Sequence, residues 1–117
     1  EVLQDGIAYH CDLGLKAIST GTVETNAGRP EMVRLYTLLE SEALSKDHPV
    51  HEYFEQREIN LLKEYTFAAK RDGVVDPERT ALQVLSAMEG LQLRWLNESH
   101  DIDFVGEWKA LIGLLIP

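Results

Sequence analysis

Apolar residues return every three or four positions along most of this chain, and no stretch sustains the two-residue alternation of a strand. After Pro30 they fall at Met32, Leu35, Tyr36, Leu39 and Ala43. After Pro49, Val50, Phe54, Leu61, Tyr65 and Ala68 share one helical face, and Arg57, Glu64 and Lys70 lie largely off it. After Pro77 a stripe runs through Ala81, Val84, Leu85, Met88, Leu91 and Trp95, with Leu82, Leu93 and Leu96 outside it. A helix apolar on two faces needs cover on two sides. Phe104, Trp108, Leu111 and Leu115, joined by Val105 and Ile112, form a wide final seam.

Punctuation agrees with this periodicity. Arg29-Pro30-Glu31, Asp47-His48-Pro49 and Asp76-Pro77-Glu78 each put proline where a first helical turn has no use for its N–H. Asp47 and Asp76 are candidate N-caps, and Asp101 or Asp103 fits the start of the last helix. Lys70-Arg71 followed by Gly73 reads as a helix end. In the first third, Leu3, Ile7 and Cys11 fit a short amphipathic helix, and Asp12 could cap a second one through Leu15, Ile18 and Val23. Gly6, Gly14 and Gly21 weaken that region, since glycine inside a helix costs about 1 kcal/mol against alanine. The expectation is an all-α bundle of five or six helices.

At 117 residues and 13.2 kDa the chain suits one domain spanning residues 1–117. The hydrophobic share of 44% is too high for disorder. The net charge of −9 changes the picture more. Five cations face eleven acids up to Glu58 (−6) and six face nine beyond it (−3), so no basic half hides within the acidic total. Nucleic-acid binding relies on Lys and Arg neutralising phosphates, so this chain by itself is not expected to grip DNA. The single cysteine, Cys11, excludes an internal disulfide framework and any paired-cysteine metal or redox site, and fits a reducing cytoplasm. No apolar run reaches the ~20 residues that a membrane span requires. The start, Glu1-Val2-Leu3, lacks a basic signal region and an initiator methionine, which reads as a piece of a longer protein or as N-terminal processing.

Catalytic motifs are missing. Cys11 follows His10 directly, but adjacent helical residues point ~100° apart and cannot act as nucleophile and base. Carboxylates read as scattered along solvated faces, with no pair singled out. His48 and His51, beside Glu52 and Glu55, raise a metal site, yet no HExxH or Glu-x-x-His pattern supports one. First-turn surface histidines are the simpler reading, with His51 satisfying a free N–H. No catalytic residue, metal ligand or cofactor is therefore expected. Two features remain. The doubly apolar helix at 77–97 and the seam after it could pair with their copies across a two-fold axis, or both could simply be core. Tyr36, Tyr65, Met88, Glu89, Gln92 and Trp95 set polar or polarisable groups on apolar faces, as small-molecule pockets do, although each alone also fits a packed core.

Three stretches carry a family resemblance: Arg29-Pro30-Glu31-Met32-Val33-Arg34-Leu35-Tyr36, Asp47-His48-Pro49-Val50-His51-Glu52-Tyr53-Phe54, and Gly90-Leu91-Gln92-Leu93-Arg94-Trp95-Leu96. Together they resemble the C-terminal domain of tetracycline-repressor (TetR) family transcriptional regulators of an actinobacterial-looking subgroup, over residues 12–115. The resemblance implies a helical effector-binding and dimerisation domain. Its last two long helices, here 77–97 and 103–115, would form a four-helix bundle with a second copy through Leu93, Leu96, Phe104, Trp108, Leu111 and Leu115. Its pocket would be lined by Tyr36, Phe54, Tyr65, Met88 and Gln92 and take a small, mostly apolar effector. DNA contact would belong to a helix-turn-helix head absent from this chain, joined through residues 1–11 as a connecting helix. The alternative from another class is a helical protein–protein interaction domain with no ligand pocket.

Overall fold

A computed structural model describes residues 13–117, and the expected helix of Leu3, Ile7 and Cys11, with the Asp12 cap, lies outside them. The described residues form five helices and no strand: α1 Leu15–Ala27, α2 Pro30–Glu42, α3 His51–Arg71, α4 Pro77–Leu96 and α5 Phe104–Leu115. None of these helices is long and apolar enough to cross a membrane.

Most helix ends follow from local chemistry. Pro30 opens α2 with Glu31 in the first turn. Asp76 accepts the Arg79 N–H at 3.2 Å to cap α4, and Asp103 accepts the Gly106 N–H at 3.1 Å to cap α5. Gly73, at φ 73°, takes the left-handed conformation just beyond α3.

Two ends differ from expectation. α3 begins at His51, not at Pro49, and Asp47 is exposed and caps nothing there. The chain makes two tight turns first, with the His48 N–H on the Ser45 carbonyl and the His51 N–H on the His48 carbonyl, each at 3.0 Å. Within them His48 Nδ1 accepts the Val50 N–H at 3.2 Å, and His51 Nδ1 lies 2.7 Å from the Ala43 carbonyl oxygen. The histidine that satisfies a free N–H is thus His48 and not the expected His51, which meets a carbonyl instead. The start of α1 is capped from a distance. Its N-cap is Gly14, which has no side chain to offer, and the Lys16 N–H is taken at 3.0 Å by Oδ2 of Asp72, the residue that ends α3.

α3 and α4 form the most extensive helix pair, and α5 lies across α1 and α4. The core gathers Leu15, Ile18 and Val23 of α1, Tyr65, Ala68 and Ala69 of α3, Ala81, Val84, Leu85 and Met88 of α4, and Phe104, Trp108 and Ile112 of α5. Trp108 is fully enclosed, and Trp95 stacks on Phe104 with ring centroids 4.7 Å apart. α2 behaves differently. Its expected buried stripe is largely open, with Met32, Leu35 and Tyr36 exposed, and Val33 is the residue it buries. The helix touches α1 and α4 only sparingly, because it stands off from the bundle and leaves a space beneath it.

Candidate functional site

That space is a cavity of about 650 Å³ between α1, α2, α3 and α4. The size falls within the usual range for small-molecule sites, ~300–1,000 Å³. α1 contributes Ile18, Gly21, Thr22, Thr25 and Asn26, and α2 contributes Met32, Val33, Tyr36, Thr37 and Glu40. α3 adds Tyr53, Arg57, Leu61 and Tyr65, α4 adds Leu85, Met88, Glu89 and Gln92, and Arg29 closes the wall ahead of α2. Helical spacing explains the convergence. Met32, Tyr36 and Glu40 are four residues apart on α2, and Leu85, Met88/Glu89 and Gln92 repeat every three or four on α4. Gly21 matters by what it lacks: a Cβ there would meet nothing within 4 Å, so its place in α1 is cavity wall.

Of the residues expected at a ligand, Tyr36, Tyr65, Met88 and Gln92 line this cavity. Gln92 Oε1 accepts from Asn26 Nδ2 at 3.1 Å, tying α4 to α1 along the wall. Phe54 does not line the cavity. It sits in a neighbouring groove of about 300 Å³ with Leu35, Leu39, Val50 and Tyr53, where its ring meets Tyr36 edge-on at 6.2 Å and Tyr53 at 5.1 Å. Trp95, also singled out for its place on an apolar face, belongs to the core with Phe104.

The carboxylates are not all scattered. Glu40 of α2, Glu58 of α3 and Glu89 of α4 bring carboxylate oxygens within 4.8 Å of one another, which corrects the sequence reading. Among the described residues no ion pair within 4.0 Å involves any of the three. Partial burial pushes the Glu89 carboxyl up to about 7 although the residue keeps an exposed surface, and the neighbouring Glu40 and Glu58 charges push the same way against a smaller opposing pull from Arg57. Glu40 is also raised, first by burial and then by Glu58, with Arg57 opposing. The Arg57 guanidinium lies over the Tyr36 ring, 5.6 Å from its centroid. The signal for this cluster was present in the sequence. Glu58 shares the helical stripe of Leu61, Leu62 and Tyr65, and Glu40 shares that of Met32 and Tyr36, so each puts a charge on an otherwise apolar face. Neither His48 nor His51 belongs to the cluster.

The expected interface residues divide by exposure. Leu96, Phe104 and Trp108 are buried within the single chain, Leu111 and Leu115 are half-buried, and Leu93 is 56% exposed. The apolar surface left open on α4 and α5 is carried by Leu82, Leu93 and Leu114. In comparisons with known proteins, no family model, no curated protein and no solved structure matches this chain.

Proposed function

We propose that this chain is the effector-binding and dimerisation domain of a TetR-like transcriptional regulator, working in a bacterial cytoplasm. The observation that carries the reading is the cavity enclosed by α1, α2, α3 and α4, on which Tyr36, Tyr65, Met88 and Gln92 converge from three helices. Its wall mixes aromatic and thioether groups with Thr22, Asn26, Arg57 and Glu89, so the effector has polar functions as well as apolar bulk. On this reading α4 and α5 pair with a second copy through Leu82, Leu93 and Leu114. DNA contact belongs to a basic head outside the sequence, which suits a body of net charge −9. Control then needs only that the effector binds the DNA-released conformation better, since equal affinity for both would shift nothing.

A thermal-shift screen of chemically varied small molecules tests the reading. A bound compound at 100 times its Kd adds about 2.7 kcal/mol and raises the melting temperature. Gly21→Leu should abolish that response without unfolding the chain, because leucine suits a helix better than glycine and its side chain would project into the cavity. A screen that stabilises nothing, or hits that survive Gly21→Leu unchanged, would favour an interaction domain without a ligand.

A further inference from the structure

We propose that α2 is a strap over the cavity, fastened towards its two ends, which lifts from the bundle to admit a ligand and settles back on it. This rests on the effector-binding reading and says how that site is reached and closed. Little of α2 is packed. Of its 13 residues Val33 is the one buried, whereas α3 buries four, α4 five and the shorter α5 three. Its open apolar residues face the right way. Met32 and Tyr36 line the cavity and are exposed all the same, so the surface that closure would take out of water already borders the space. Burying apolar surface is favourable roughly in proportion to its area, and a ligand beneath α2 adds its own.

The fastenings are weak at one end and firmer at the other. α1 and α2 meet at Gly28-Arg29, and Pro30 has no N–H with which to carry the α1 bonding pattern across that joint. Near this end Arg34 reaches Glu98, beyond α4, at 3.8 Å, an exposed pair of the kind that contributes little. At the far end Ala43 is buried and its carbonyl oxygen lies 2.7 Å from His51 Nδ1. Between them Tyr36 meets the Phe54 ring edge-on and the Arg57 guanidinium over its face, contacts that are individually weak and readily remade. Glu40 faces Glu58 of α3 and Glu89 of α4, and their repulsion opposes complete closure over an empty cavity.

Hydrogen exchange on the whole chain reads the lifting. A helix of 13 residues is marginal in water by itself, so α2 loses its amide protection each time it leaves the bundle. In the free chain its amides are expected to exchange at least about tenfold faster than those of α4, at a rate that low urea leaves unchanged. Nile red, a neutral dye small enough for about 650 Å³, should slow α2 at least about fivefold at saturation. The dye signal is taken as the part that Gly21→Leu abolishes.

Tying down the loose end tests the cause. In a Cys11→Ser background, Arg34→Cys and Glu98→Cys joined by bismaleimidoethane should bring α2 exchange down towards that of α4 and slow Nile red entry at least about tenfold in stopped flow. The same variant left unjoined should do neither, which separates the tie from the substitutions. α2 exchanging no faster than α4 in the free chain overturns the strap and leaves the cavity a ligand site. Dye that enters the joined and unjoined chains equally fast, or binds without slowing α2, has the same meaning. If neither Nile red nor any compound of the wider screen binds, the effector-binding reading falls, and the exchange of α2 against α4 by itself decides whether the helix lifts.

Discussion

Glu89 occupies an awkward position for a carboxylate, and the awkwardness is measurable. In the folded chain its proton is held to about 7, above the ordinary 4.5, because burial and the Glu40 and Glu58 charges disfavour its ionised form. The folded state therefore binds a proton that the unfolded chain has already released, across a window from about 4.5 to about 7. Glu40 is shifted in the same direction. The sign follows: this contribution favours folding at the acid end and is lost as pH rises through about 7. Melting temperatures across that window should fall towards the alkaline side for the native chain, and Glu89→Gln should melt higher at about pH 8 with a flatter profile. Parallel profiles for the two would refute the assignment. The sequence marked Glu89 as a polar group on an apolar face. It could not show that Glu40 and Glu58 end beside it, because that depends on how three helices pack rather than on spacing within one.

At the level of helices, Gly14 and Asp72 act as one unit. Gly14 has φ −80° and ψ 174°, an extended backbone that any residue adopts, so the glycine is not required for conformation. It is required for room, because a Cβ there would collide with the Asp72 carboxylate that caps α1. Asp72→Ala should cost about 1 kcal/mol, the usual worth of a helix cap. Gly14→Ala should cost at least as much by pushing the same carboxylate away. The double variant should cost little more than either alone, because residues sharing one interaction are not additive. Urea midpoints of the four chains check this, and fully additive losses would mean the two residues act separately. Elements with their own punctuation were legible: Pro30, Asp76-Pro77, Asp103 and Lys70-Arg71 before Gly73 mark ends that lie within a residue or so of those observed. α1 was less legible because its cap comes from 56 residues away along the chain. α2 was misleading, since its apolar stripe faces the cavity and solvent instead of a packed partner.

For the whole molecule, the open question of surface lies on α4 and α5. The seam read from the sequence mixes residues this chain encloses, such as Trp108, with ones it leaves open, such as Leu93, and periodicity alone could not separate them. If two copies associate as proposed, sedimentation should report about twice 13.2 kDa. Leu93→Glu combined with Leu114→Glu should then give a folded monomer with unchanged helix content, because both side chains are already exposed in one chain. Trp108→Asp should unfold the protomer instead, since its ring has no exposed surface. A native chain that sediments as a monomer at high micromolar concentration would end the dimer reading.

The cap on α1 has a mechanical consequence. α3 carries Tyr53, Arg57, Leu61 and Tyr65 on the cavity wall, and its last turn runs into Asp72, which holds the N-terminal turn of α1. On the proposed reading, a ligand that tilts α3 would move the start of α1 with it, through this charged hydrogen bond and through the core the two helices share, making α3 a lever with the cavity on its flank.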